Sequence, residues 1–132
     1  MPTRTQRISG WVLTGLFGLF MIVGSGYGKF FDFPDKAEMM SKLQIPTALL
    51  PTLGVIEITF AVLFLIPRTA FLGAILTTAY LGGALWTHLR VDDVWFPPII
   101  IGVIMWVALG LRQPAIFRLA LGRPVEPNPV SN

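Results

Sequence analysis

A chain of 132 residues that is 54% hydrophobic and only 13% charged lacks the polar surface a soluble domain needs, so the expected class is integral membrane protein. With no cysteine and one histidine, thiol–disulfide chemistry, Cys-ligated zinc, iron–sulfur clusters and multi-histidine metal or haem sites are excluded within one chain, and no metal site is expected. The net charge of +3 comes from basic residues at the ends of apolar runs, where they serve as topology signals and headgroup contacts; nucleic-acid binding is not expected.

The chain divides into a short polar start (residues 1–7), one transmembrane domain (8–111) and a basic, Pro-rich tail (112–132). The first apolar run, Ile8 to Tyr27, follows Arg4 and Arg7 and extends to about Phe31. Gly24-Ser25-Gly26 loosely matches a signal-peptide cleavage site, but the run exceeds the ~7–15 residues of a signal h-region and is read as a retained span. Small residues at helical spacing, Thr14/Gly18 and Gly24/Gly28, allow close helix approach.

Phe33 to Ile45 is too short to cross. Pro34 and Asp35 open it, Glu38 stands where a capping box with Asp35 would place it, and Glu38 and Lys42 are spaced as a helical ion pair. It is expected to lie in the membrane interface. A second span runs from Thr47, its expected N-cap, to Ile66, with Pro51 in the first turn where its missing N–H is no loss. Ala70 to Leu89 form a third span, rich in Gly and Ala and so expected to pack centrally. Trp95 and Phe96 mark an interface, Pro97 and Pro98 an opening turn, and Ile99–Leu111 the fourth and shortest span. The tail, with Pro124, Pro127 and Pro129, is expected to carry little order.

Short connections make neighbouring spans antiparallel, so the expected fold is all-α: an up-down four-helix membrane bundle with a short interfacial helix between its first two spans. Arg4, Arg7, Arg68, Arg112, Arg118 and Arg123 fall on one side, so both termini are expected in the cytoplasm.

Glu57 is the one acid inside any run, and an acid at that depth costs roughly 2.5–3.5 kcal/mol on insertion scales. On this topology it lies about ten residues, or ~15 Å, below the external end of its helix. Lys29 at the end of the first span can bend down towards it, with Ser25 one turn further in. His88 closes the third span, with Tyr80 two turns below it on the same face. Ser25, Lys29, Glu57, Tyr80 and His88 are therefore the candidate residues of one polar pocket in the outer half. Glu57 and His88 would handle protons, or His88 would bond a quinone-like carbonyl; no catalytic residue is assigned. The plain structural alternatives are a carboxyl acting as interhelical glue, a snorkelling lysine and an interfacial histidine.

Ser25-Gly26 followed by Lys29-Phe30, then Leu53-Gly54-Val55-Ile56-Glu57, then Ala84 with Thr87-His88 occur in that order on successive apolar runs. With the Pro67 turn and Phe96-Pro97, this pattern resembles the DoxX-like family of small bacterial four-helix membrane proteins, over about Ile8 to Leu111. The resemblance implies residence in the bacterial inner membrane and association with membrane oxidoreductase systems, including quinone-linked ones. The expected function is an accessory or subunit of such a system, binding a quinone or another small apolar molecule. A non-enzymatic assembly or structural subunit is the alternative, and a small proton-coupled transporter the third choice. The bilayer is the expected partner, with a homodimer or an oxidoreductase as further candidates.

Overall fold

The computed structural model describes residues 1–125 and 127, and these residues are all helix, turn or irregular chain. The first helix, α1 (Arg4–Leu19), starts earlier than its apolar run because Thr3 and Gln6 form a reciprocal capping box that satisfies two end donors. It does not stop at Leu19. Phe20–Gly26 continue as a π-helix and Tyr27–Lys29 as a 3-10 turn, a single rod of 26 residues.

Helix α2 (Lys36–Leu43) is the short amphipathic segment, but its start differs from expectation. Asp35 sits at a left-handed φ of +66° and its side chain makes no capping bond, so the expected capping box is not formed. Lys42 likewise turns away from Glu38 and pairs with Asp93. Its C-terminus closes through Ile45 N–H donating to the Met40 carbonyl, with Gln44 left-handed. A 3-10 turn, Thr47–Leu49, then leads into α3 (Leu50–Leu65). Pro51 falls in the first turn of α3 as expected, whereas Leu49, not Thr47, occupies the capping position. Helices α4 (Ala70–Leu89), α5 (Pro97–Arg112) and the unanticipated α6 (Ala115–Ala120) follow.

There are thus six α-helices among the described residues, one more than the four spans and interfacial helix expected. Three stretches, Arg4–Lys29, Thr47–Leu65 and Ala70–Leu89, are long and apolar enough to span a membrane, and Pro97–Arg112 is an apolar helix of 16 residues. Helix α4 packs between α3 and α5 and α1 packs on α5 and α3, so each long helix has two neighbours and the central position expected for α4 does not set it apart. The seams run antiparallel: Gly18 faces Leu65, Gly26 faces Ile58, and Gly102 faces Leu81. Their shared core joins Phe17, Phe64, Ala74, Met105 and Leu109, with Phe17 and Phe64 edge to face at 5.0 Å. That core occupies the half nearer α6. In the half nearer α2, the π-helical segment leans on α3 and parts from α5, and a cavity takes the place of packing. Gly83, expected to be a packing residue, lines that cavity, and Gly82 faces open space on another side of α4. For the tail, Glu126 and residues 128–132 lie outside the described residues, so the expectation of little order for Pro129 falls outside them.

Candidate functional site: a charge pair on the floor of a cavity

Glu57 stands in the second turn of α3 and is almost wholly buried, at 1% exposure. Three residues earlier, Gly54 clears the way for its partner: a Cβ there would lie 2.6 Å from the Phe30 ring and 3.2 Å from the Lys29 Cβ. Without a side chain at that position, the end of the first rod closes on α3 and the Lys29 stem runs down beside it. Lys29 Nζ then reaches Glu57 Oε2 at 2.5 Å and also donates to Ser25 Oγ at 2.9 Å. From α4, the Tyr80 hydroxyl donates to the same Oε2 at 3.0 Å. An ammonium and a phenol from two helical elements thus meet on one carboxylate oxygen, with the Ser25 hydroxyl steadying the ammonium, which offsets the cost of holding the carboxylate away from water.

The π-helical turn is part of how this is arranged. A π-helix is uncommon and appears mostly as short insertions at functional sites. Here it spans Phe20–Gly26 and carries Ser25, so the wide turn sets the face on which Ser25 and Lys29 point at α3. The sequence signal for it was weak: Gly24-Ser25-Gly26 marks poor helix formers but not which irregularity they permit.

Above the pair lies a cavity of about 730 Å³, within the usual ~300–1,000 Å³ of small-ligand sites. Ser25, Lys29, Glu57 and Tyr80 give it a polar floor; Met39, Met40 and Leu43 of α2 form an apolar roof. His88 lines the same cavity but does not join the floor. Its Nδ1 lies 3.0 Å from Asp93 Oδ2, and Asp93 accepts from Lys42 Nζ at 3.0 Å through its other oxygen. Four of the five expected residues therefore form one hydrogen-bonded cluster, and the fifth belongs to a separate cluster at the rim. The reason is spacing: the turn after α4 folds Asp93 back onto the last turn, where its N–H also donates to the His88 carbonyl at 3.0 Å. The Asp93 carboxyl is held down to about pH 2, first by the Lys42 hydrogen bond, then by the Val94 N–H and by His88. Arg90 completes the rim by donating to the Leu43 and Gln44 carbonyls at 2.8 and 3.2 Å, which ties the end of α2 to α4.

The sequence pattern of the DoxX-like family matches residues 12–111. The chain belongs to the DoxX-like family. The matched region contains all five candidate residues, the cavity and its roof, while α6 lies beyond it. No curated protein and no solved structure matches the chain. In this DoxX-like chain the residues that sequence reasoning missed are Asp93, visible only as a turn acid, and Arg112, read as a headgroup contact. Arg112 is in fact buried at 8% exposure. Its guanidinium lies 3.8 Å from the Trp11 ring centre and donates to Thr14 Oγ1 at 3.1 Å. No group of three or more His, Cys, Asp or Glu side chains able to hold a metal occurs among the described residues.

Proposed function

We propose that this protein is a multi-pass membrane protein whose four apolar rods form an up-down bundle, and that its cavity binds a small apolar molecule carrying a polar head. The observation that carries the reading is the Lys29–Glu57–Tyr80 cluster lying on the floor of a cavity rather than in packed hydrocarbon. A buried ion pair is weak evidence for stability alone, since hydrocarbon of similar shape often does as well. A pair that borders an empty volume has a use beyond packing. Quinones fit the description: a flat, apolar ring with carbonyls that accept hydrogen bonds. The protein then serves a membrane redox system as an accessory or subunit, with electrons supplied by partner or ligand, and with Glu57 and the phenol of Tyr80 handling protons. The Lys/Arg distribution supports an inner-membrane orientation with both termini in the cytoplasm and the cavity in the outer half.

The test is equilibrium binding of a short-tailed ubiquinone to the purified chain in detergent. Binding that weakens at least tenfold in Glu57→Gln supports the reading. Affinity unchanged in Glu57→Gln, Tyr80→Phe and His88→Ala removes the cavity from the account. A second reading, a structural or assembly subunit with the cluster as interhelical glue, is favoured by one detail: Glu57 Oε2 already accepts from two donors. On that reading Glu57→Gln lowers thermal stability and changes no ligand affinity.

A further inference from the structure

The charges on the cavity floor cancel, and what they leave over is specific. Lys29 spends its N–H groups on Glu57 Oε2, Ser25 Oγ at 2.9 Å and the Ser25 carbonyl at 3.4 Å. Tyr80 spends its proton on the same Oε2. Among the described residues Glu57 Oε1 accepts no hydrogen bond, and the Ser25 hydroxyl, which accepts from Lys29, finds no acceptor for its own proton. The floor therefore offers one donor and one acceptor at net charge zero. Of the charges at the rim, Lys36 donates to the Phe31 carbonyl at 2.7 Å and lies over the Phe33 ring, while Lys42 and His88 are both engaged by Asp93.

The walls say where such a ligand comes from. In the half nearer α6, α1 and α5 touch, with Gly10 against Ala108. In the other half the cavity separates them: Phe20 and Gly24 line one side, Pro98 and Ile101 the other. A molecule dissolved in the bilayer would enter on this side, between the π-helical segment and α5, without crossing water.

Resting on the reading of the cavity as a ligand site, we infer that it selects an uncharged lipid-borne molecule whose head pairs a hydrogen-bond donor with an acceptor, and rejects an anionic amphiphile of the same tail. A second carboxylate beside Glu57 would give the floor a net negative charge in a poorly hydrated volume, which like-charge repulsion and desolvation both oppose. An uncharged head instead donates to Glu57 Oε1 and accepts from Ser25, so of a quinone and quinol couple the quinol meets both groups and the quinone meets Ser25 alone.

The experiment compares monopalmitoylglycerol with palmitate at alkaline pH, titrated into the purified full-length chain in neutral detergent and read by native mass spectrometry. The glyceride is expected to bind at least tenfold more tightly than the carboxylate. Glu57→Gln leaves Lys29 uncompensated and the floor positive, so the order of preference is expected to reverse. Tyr80→Phe keeps the charge balance and is expected to keep the native order. Equal affinities in the native chain, or tighter binding of palmitate, overturn the inference, as does a folded Glu57→Gln variant that keeps the native preference. Where that variant does not fold, the native comparison decides by itself. If palmitate is preferred while binding remains sensitive to Tyr80→Phe, the cavity stands as a ligand site and only its selectivity is wrong. If neither amphiphile nor the quinone binds, the ligand-site reading falls with it.

Discussion

Two cations, the half-buried Lys29 and the buried Arg112, lie at opposite ends of this protein, and they are satisfied in different ways. Lys29 meets a carboxylate, a hydroxyl and a carbonyl, and it borders a cavity. Among the described residues Arg112 meets no acid. It stacks on Trp11 at 3.8 Å and bonds one threonine, while its Nε and Nη2 are buried with no partner among those residues. Thr14 is fully engaged by that contact, since it also donates to the Gly10 carbonyl at 2.7 Å. Around Arg112 the helices close up: a Cβ on Gly10 would lie 2.8 Å from the Arg112 Cγ and 2.9 Å from the Ala108 carbonyl oxygen. The contrast separates two uses of a buried charge. One is compensated and left beside open space, where its remaining hydrogen-bonding groups can meet a ligand. The other is wedged into a seam, where its flat face and long stem fill volume against an aromatic ring.

The comparison breaks most readily at Lys29. Lys29→Met leaves Glu57 buried without its counter-charge, and removing one half of a buried pair costs about 3–5 kcal/mol. This variant should show the largest loss of thermal stability in detergent of any change considered, and Lys29→Met with Glu57→Gln should recover most of it. A single variant as stable as the native chain would mean the pair holds nothing together. Next in size is Gly10→Val. The added carbons meet the backbone of α5 as well as a side chain, and overpacking of this kind costs about 1–3 kcal/mol. Its melting temperature should fall, and ligand affinity in the folded fraction should stay native because the cavity is at the other end.

Arg112→Met sharpens the contrast from the other side. Methionine keeps much of the stem volume and removes two buried nitrogens that find no partner among the described residues, each unmet polar group costing about 1–3 kcal/mol. Against that stand the loss of the Trp11 stacking, about 0.5–2 kcal/mol, and of one hydrogen bond to Thr14. The net change in stability should be small. Loss of stability as large as in Lys29→Met would show that Arg112 is not a packing residue, and the distinction between the two ends would go.

How much of this was legible in the residues depends on how far each interaction reaches. The apolar runs and their breaks at Pro46, Pro67 and Arg90–Asp93 place α3 and α4 almost to the residue, because hydropathy and proline act locally. Glu57 announced itself as an acid in a run of hydrocarbon, and Lys29, Ser25 and Tyr80 followed from topology and helical rise alone. His88 did not follow, because a turn that brings Asp93 back by five positions is a choice among many loop conformations. Arg112 was hidden for the opposite reason: an arginine ending an apolar run reads as a headgroup contact, and only the packing of α1 against α5 reveals Trp11 and Thr14 as its partners. The π-helical turn was equally invisible, since nothing in Gly24-Ser25-Gly26 selects a wide turn over a plain break.

The smallest effect tests the rim. Asp93 joins Lys42 of α2 to His88 of α4, and its carboxyl titrates at about 2 in place of the ordinary 3.8, chiefly through the Lys42 hydrogen bond. A folded value below the unfolded one means the carboxylate form is favoured in the native state, so the tie is fully present above roughly pH 4 and is lost as the pH falls towards 2. The groups are exposed, so the gain in overall stability is minor. The local consequence is the informative one: α2 makes few backbone contacts with the rest of the chain and is held over the cavity by this tie and by Arg90. Amide exchange measured across Lys36–Leu43, corrected for its intrinsic pH dependence, should therefore lose protection in that acid range while α3 and α4 keep theirs. In Asp93→Asn the α2 protection should start lower and become insensitive to acid. If α2 is equally protected in both chains at every pH, the roof is held by its apolar face on the cavity wall, and the charges at the rim are no more than solvated surface.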